Sequence, residues 1–430
     1  TANDRPGRYP PTYYAAQTHP PAPRPAPQGR RRADVCVIGG GFTGLSAALH
    51  LARRGYDVAL LEAQRVGFGA SGRNGGQVGS GQRRDPFELE AMLGRERARA
   101  LWDLGQEAQA LVKSLASEIG VPFHAGLINA EHRRGDQAAE RAAIDALRER
   151  YDHPAIRFLD TDEIRALIGS PRYHSGALDE AAGHLDPLAL ALGLARLAEA
   201  AGARLYEGAR VLRIETETGR APRAILEGAE IEAEHLFLAC NGYLGALQGD
   251  VAARVMPINN FIVATEPLPP ALRESVIRGD LAVADSKFVI NYFRFSEDDR
   301  LLFGGSESYG YRFPSDIARL VRRPMLEIFP QLQETRIDYA WGGTLGITMS
   351  RLPHLARYSG GRVLSASGFS GHGVSIGTFS GALAAEAIAG QAERFDVMAA
   401  APTPRFPGGA ALRWPLLVLA MAWFSLRDRL

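Results

Sequence analysis

Lysine is almost missing from this 430-residue chain: only Lys113 and Lys287 stand among 49 basic side chains, and the rest are arginines. Lysine chemistry is thereby confined to two positions, and the arginine bias itself reads as compositional. Cysteine is as scarce. Cys36 and Cys240 lie far apart, with no CxxC pair and no spaced framework, which argues against a structural zinc site and against a disulfide scaffold. Charge of one sign is not in excess either, because 49 basic and 48 acidic groups leave a net charge of +1. A nucleic-acid binder should show a basic surplus or stripe. No run approaches the ~20 apolar residues of a membrane helix, and the first residues lack the apolar core of a signal peptide. These absences predict a soluble, cytoplasmic protein without a metal centre or a nucleic-acid partner. What is present is ordinary for a globular chain: 46% hydrophobic and 23% charged residues support a sizeable core. The length, roughly three times a ~150-residue domain, implies two or three domains.

Residues 1–32 are rich in proline and end in Arg30-Arg31-Arg32, so they read as an extended N-terminal strap with a solvated basic edge. An apolar run at 33–38 opens into glycines, helix spacing follows over 43–54, and a second buried strand occupies 57–61. That succession is a βαβ unit. Helical spacing recurs over 86–120, 135–150, 187–201 and 315–328. Short strands fill 204–239, longer strand-like runs cover 258–265 and 287–295, and a further strand leads to Trp341. A last strand at 362–367 enters a second glycine-rich turn and a small-residue helix over 374–389. The pattern predicts an α/β protein in which a Rossmann-like dinucleotide-binding domain (33–85, 152–252 and 342–400) is interleaved with an antiparallel-sheet substrate domain (86–151 and 253–341). A tail helix is expected over 401–430.

Three motifs carry chemistry. Gly39, Gly41 and Gly44 match G-x-G-x-x-G between strand and helix. They permit a tight turn, close approach to a pyrophosphate and helix–strand packing, with the helix N-terminus offering N–H groups to the phosphates. Glu62, at the tip of the next strand, can take both ribose hydroxyls and would repel a 2′-phosphate. This indicates a dinucleotide without separating NAD from FAD. The second motif, Gly67–Gln77, decides for FAD. It is too glycine-rich for the helix that continues an NAD domain, and a loop bearing Ser71, Arg73, Asn74 and Gly75 can bond phosphate and press backbone against a flavin face. The third, Gly371-His372-Gly373, opens the last helix, where N–H groups and the helix dipole can stabilise charge at N1 and O2 of a reduced flavin. His372 is a candidate to touch flavin or substrate, although a lone histidine is more often structural.

Together these motifs resemble the FAD-dependent D-amino-acid oxidase, glycine oxidase and sarcosine oxidase superfamily, and within it the γ-glutamylputrescine oxidoreductase branch. The likeness extends over nearly the whole chain. It is carried by Thr12-Tyr13-Tyr14-Ala15-Ala16, the Gly39–Gly44 turn, Gly69–Gly76, Trp341-Gly342-Gly343, Arg351-Leu352-Pro353-His354, Gly371-His372-Gly373 and the closing Trp423–Asp428. It implies that Val211 offers backbone to the adenine side and that Ala239–Gly242 flanks the cofactor. It also implies the reaction: a hydride leaves the carbon beside an amine nitrogen for flavin N5, the imine hydrolyses, and in oxidases O2 is reduced to H2O2. The amine must bind neutral, since an ammonium has no lone pair to expel hydride, and an apolar, aromatic pocket favours that form. Tyr292, Phe293, Tyr311 and Trp341 are candidate walls, with His372, Trp341 and Tyr292 the catalytic candidates.

Departures from the family narrow the substrate. Ser375 stands where sarcosine-oxidase-like members carry a lysine for the substrate carboxylate, and no arginine occupies 341–343, where glycine oxidases anchor theirs. No cysteine lies in Gly343–Thr348 for a covalent flavin link, so FAD is expected to be noncovalent. Losing both anchors favours γ-glutamylputrescine or a similar amine with a remote carboxylate. The alternatives are an oxidase of a cyclic or N-substituted amino acid (pipecolate, sarcosine), or a flavin-binding electron-relay protein without amine turnover. The lysine that some relatives use towards O2 is missing before Leu302 and Phe303, which leaves O2 or another electron acceptor open. The apolar tail Trp414–Phe424 is too short to span a bilayer; it is expected to pack on the domain, with peripheral membrane contact as the alternative.

Overall fold

The computed structural model describes residues 3–217, 219–308 and 312–409, so Tyr311 and the tail from 410 onward lie outside the described residues. Two sheets organise the chain. In the first, the strand order is His354–Tyr358, Val363–Ser367, Ala229–Leu238, Gly29–Ile38, Val58–Leu61 and Arg204–Tyr206. The last five run parallel and the first is an antiparallel edge. Val35–Ile38 and Val58–Leu61 are buried at every position, as expected of parallel strands covered on both faces. Helices Phe42–Ala52, Pro187–Ala200, Thr378–Ile388 and Arg95–Ile119 share one apolar core with this sheet. Because the parallel strands end along one edge, the turns after Ile38, Leu61, Leu238 and Ser367 converge there, where open α/β sheets bind ligands.

The second sheet has the order Ile337–Ile347, Met256–Pro267, Arg300–Ser308, Tyr292–Phe295, Ala282–Asp285, His124–Glu131, Ser175–His184 and Gln77–Val78, with Ile156–Leu159 also paired to Ser175–His184. It is antiparallel except where Ala282–Asp285 runs parallel to His124–Glu131. Its core is aromatic, with Phe261, Phe293, Phe295, Phe303 and Phe329 all buried.

Several local expectations shift. The strand-like run 287–295 shortens to Tyr292–Phe295, because the Asp285 carboxylate accepts from the backbone N–H groups of Lys287 and Asn291 and from Asn291 Nδ2. Such local side-chain bonds compete with a strand ladder. The helix over 86–120 breaks at Gly94 (φ +83) into Pro86–Leu93 and Arg95–Ile119. Strands Ile156–Leu159 and Ser175–His184 join the second sheet although they lie within 152–252, and helix Arg95–Ile119 packs into the first core although it lies within 86–151. Periodicity marks an apolar face but not the sheet it will meet. Strand Gly29–Ile38 already contains the arginine triplet, of which Arg30 and Arg32 pair with Glu230 and Glu232 while Arg31 lies over the Tyr206 ring.

The strap is ordered by what it crosses. A one-and-a-half-turn helix, Tyr13–Thr18, buries Tyr14 completely. Tyr9 Oη donates to the Val66 carbonyl at 2.6 Å, and Tyr14 Oη to the Asn74 carbonyl at 2.8 Å. Among the described residues no helix is long and apolar enough to cross a membrane.

Candidate active site

Four turns meet at the carboxyl edge of the parallel sheet. Gly39 leaves its strand at φ +114, where a Cβ would lie 2.7 Å from the Ala239 carbonyl oxygen. Gly44 sits over the same turn, and a Cβ there would come within 1.9 Å of Gly39 O. Only glycine allows the first turn of helix Phe42–Ala52 to rest directly on the strand end. Gly41, Phe42 and Thr43 line a cavity, and Phe42 N donates to Ser71 Oγ at 3.0 Å. Glu62 accepts from Gly40 N and Gln64 N, both at 2.7 Å, and lines the same cavity. Burial pushes its pKa up to about 7, against the pull of those two bonds. Val211 is buried on the cavity wall close by, where Ala209 N donates to the Glu62 carbonyl at 2.8 Å.

The glycine-rich loop is held by its own side chains. Asn74 Nδ2 donates to the carbonyls of Ala70 and Ser71 at 3.0 Å, and its Oδ1 accepts from Gly76 N at 2.8 Å. Arg73, 3% exposed, donates through Nε to Phe68 O at 2.6 Å, and through Nη1 to Gly342 O and to both Asp4 oxygens at 3.1 Å. Its Nη2 is buried with no partner. Among the described residues no acceptor meets this donor, although Asp4 already balances the charge of the guanidinium, so the position calls for a further hydrogen-bond acceptor. Tyr292 packs its ring against the backbones of Gly75 and Gly304, and its hydroxyl donates to Asn260 Oδ1 at 2.5 Å.

His372 precedes the wide turn Gly373–Gly377 that leads into helix Thr378–Ile388, between Gly371 (φ +98) and Gly373, and all three line the cavity. Its Nε2 lies 3.2 Å from where a Cβ on Gly79 would be. Burial, with the charge of Arg83 added, pushes its pKa down to about 3, so the imidazole is neutral at physiological pH.

Trp341 takes a different place. It is 2% exposed, does not line the cavity, donates through Nε1 to the Arg73 carbonyl at 3.0 Å, and meets the Tyr14 ring edge-on at 5.6 Å. It packs under the glycine loop, while further along strand Ile337–Ile347 Gly343, Thr344 and Leu345 line the cavity. Phe293 is also buried away, stacked on Phe303.

The cavity measures about 1470 Å³, beyond the roughly 300–1,000 Å³ of a site for one drug-sized ligand. It runs continuously from the Gly39–Thr43 turn past His372 and Tyr292 into the second sheet. There it meets an apolar wall of Leu127, Ile156 and Phe158, roofed by Ala143, Ile144 and Leu147 of helix Gln137–Arg150. Its volume, the side-chain-free turn, the Glu62 carboxylate and the Arg73 orphan fit FAD together with a second small molecule.

A polar group on the wall has no motif in the sequence. Asp179 accepts from Ser80 Oγ at 2.6 Å and from the N–H groups of Ala181 and Ala182, and His153 Nε2 meets it at 3.0 Å without hydrogen-bond alignment. Burial raises the Asp179 pKa, but His153 and Ser80 outweigh it, so the carboxyl stays below its usual range. These residues converge from three separate segments, and only pairing in the second sheet unites them.

The comparisons agree with this geometry. The sequence profile described as FAD dependent oxidoreductase (DAO) matches residues 34–387. The chain is 44% identical over 407 residues to a probable oxidoreductase, OrdL, of Rhizobium meliloti (strain 1021), covering 94% of each chain. It is 38% identical over 423 residues to the gamma-glutamylputrescine oxidoreductase of Escherichia coli (strain K12), covering 97% of this chain and 98% of that one. In fold it is similar to glycine oxidase from Geobacillus kaustophilus, with a TM-score of 0.69 at 21% identity, over 84% of this chain and 95% of that one.

Proposed function

The chain belongs to the DAO family of FAD-dependent oxidoreductases, and from that premise we propose that it oxidises an amine whose carboxylate is remote from the reacting carbon, γ-glutamylputrescine being the first candidate. The observation that carries this reading is the pair of neutral side chains, His372 and Tyr292, on the wall between the cavity's two halves. His372 is held neutral, and burial keeps the Tyr292 phenol protonated, its pKa raised well beyond the ordinary tyrosine value. Ser375 is 1% exposed and Gly343 has no side chain, so neither position offers a cation to an α-carboxylate. The apolar wall beyond suits the hydrocarbon spacer of a diamine derivative.

FAD, when bound, supplies the hydride acceptor and passes the electrons on, with O2 as the acceptor we propose. The residues of this chain hold and shield. The Gly39–Gly44 turn and the N-terminus of helix Phe42–Ala52 would take the pyrophosphate, and Glu62 the ribose hydroxyls. Ser71, Arg73, Asn74 and Gly75 would set the loop against the ring system, and Val211 would face the adenine side. His372 and Tyr292 would border the substrate's reacting carbon and keep its amine in the neutral form that can release hydride. Positioning at near-attack distance, ~3–3.5 Å, is then the main catalytic task. Noncovalent attachment of FAD suits Cys240, the cavity-lining cysteine, whose thiol bonds to the Ile38 carbonyl at 3.2 Å and whose pKa burial pushes up to about 12.

The test is anaerobic spectrophotometry of the flavin band with γ-glutamylputrescine, putrescine, sarcosine and pipecolate added separately. Bleaching by γ-glutamylputrescine, followed by H2O2 on admitting air, is the expected result. Bleaching by sarcosine or pipecolate alone would replace this reading with the amino-acid oxidase, and no bleaching by any amine would favour electron relay.

A further inference from the structure

Segment 79–84 threads between the two halves of the cavity, and nearly every side chain in it is tied down. Ser80 Oγ donates to Asp179 at 2.6 Å and accepts from Gln109 Nε2 at 2.8 Å. Gln82 Nε2 donates to Leu101 O at 2.8 Å, and Arg84 Nε to Ser350 O at 2.6 Å. The backbone between them is fixed as well, since Gly81 N donates to Gln106 Oε1 at 3.1 Å. Arg83 is the exception. It lines the cavity, and among the described residues no hydrogen bond or ion pair reaches its guanidinium.

Its surroundings make that vacancy unfavourable. Burial lowers the Arg83 pKa, the like charges of Arg351 and Arg84 lower it further, and only Glu88 opposes them. Glu88 is itself already paired with Arg84 at 3.1 Å. A half-buried cation beside two other cations is relieved by an anion, and the planar guanidinium fork matches a carboxylate through two parallel bonds. The group is close enough to His372 for its charge to act on the imidazole. A cation there also disfavours an ammonium at the reacting position, in line with the need for a neutral amine.

We propose that Arg83 receives the carboxylate of the substrate, as the anion-binding pole of the cavity, with its neighbours in segment 79–84 holding it in place. The proposal rests on the amine-oxidoreductase reading above and adds the residue that selects amines bearing a carboxylate. That carboxylate could belong to a remote head, as in γ-glutamylputrescine, or sit beside the reacting carbon, as in an amino acid, and the experiment separates the two.

The experiment compares wild type, Arg83→Gln and Arg83→Lys, each as FAD holoenzyme, by anaerobic stopped-flow reduction. The substrates are γ-glutamylputrescine, N-acetylputrescine (the same spacer and amine, no carboxylate) and pipecolate. Arg83→Gln should lower kcat/KM for γ-glutamylputrescine roughly 10- to 150-fold, the loss of a charged hydrogen-bonded pair. N-Acetylputrescine should change less than about threefold, and Arg83→Lys should recover part of the loss. A selective loss on pipecolate would support Arg83 as anchor of an adjacent carboxylate instead of a remote one. Equal slowing with all three substrates, loss of FAD from both variants, or slowing confined to reoxidation by O2 would overturn the proposal, because the guanidinium would then serve the fold, the cofactor or the oxygen reaction. A second readout does not need turnover: γ-glutamyl-n-butylamide, which has the carboxylate head but no terminal amine, should perturb the oxidised flavin spectrum of wild type and bind Arg83→Gln at least tenfold more weakly. If no amine reduces the wild type, the functional reading fails while this titration still decides Arg83; equal binding to both proteins would overturn the assignment.

Discussion

Replacing Gly44 by alanine should cost the protein its FAD, and the structure fixes how steep the loss is relative to neighbouring substitutions. The added Cβ would stand 1.9 Å from Gly39 O. That oxygen cannot retreat, because Gly39 is itself wedged against Ala239, with its own Cβ position 2.7 Å from the Ala239 carbonyl. The helix cannot easily lift either: ten of its residues are buried, and Gly381 of helix Thr378–Ile388 packs so closely that a Cβ there would lie 2.2 Å from Thr43 O. Overpacking between rigid backbones costs about 1–3 kcal/mol or more. If the whole cost falls on the FAD-bound form, affinity drops roughly 5- to 150-fold. Gly41→Ala is the internal comparison, since its Cβ would meet Ser71 Oγ at 2.7 Å, a side chain that can rotate away. FAD content after gel filtration and Kd by flavin fluorescence are the assays. Gly44→Ala should retain little FAD and melt lower even as apoprotein, whereas Gly41→Ala should melt like wild-type apoprotein and lose FAD only by crowding the pyrophosphate. Full FAD occupancy in Gly44→Ala, with an unchanged melting temperature, would refute the packing argument.

Other expectations follow from the same geometry. Glu62→Ala should weaken FAD binding roughly 10- to 150-fold by removing charged hydrogen bonds to the ribose, and unchanged retention in a Kd titration would dismiss that role. His372→Ala should slow flavin reduction while leaving a flavin-like visible spectrum; because His372 titrates at about 3, the wild-type pH–rate profile between 5 and 9 should show no ionisation that this substitution removes. His184, 1% exposed, has its pKa pushed by burial from 6.5 down to about 4, so the unfolded chain binds the extra proton first. Stability should therefore be complete above pH 6.5 and fall by about 3 kcal/mol as the pH drops towards 4. The difference in Tm between pH 7.5 and pH 5 should shrink in His184→Asn, and an undiminished difference would show that another group sets the acid limit.

The local sequence determined much of this protein. The βαβ opening, the Gly39–Gly44 turn, Glu62 at the next strand tip and the Gly371–Gly373 turn were legible because each depends on spacing within a few residues, where backbone sterics and periodicity act directly. Reading the aromatic walls was harder. Tyr292 lines the cavity, but Trp341 lies beneath the glycine loop with its N–H on the Arg73 carbonyl, because the packing of the loop on the strand decides which stretch of the strand borders the cavity. The strap was legible as proline-rich, whereas its attachment through Asp4, Tyr9 and Tyr14 to the loop at 66–74 required the folded chain. Only the tertiary structure brought Ser80, His153 and Asp179 to one wall and left Arg83 without a counter-ion among the described residues. Residue type is written in the sequence, but whether a charge is already paired depends on every segment packed around it, and no local pattern records that.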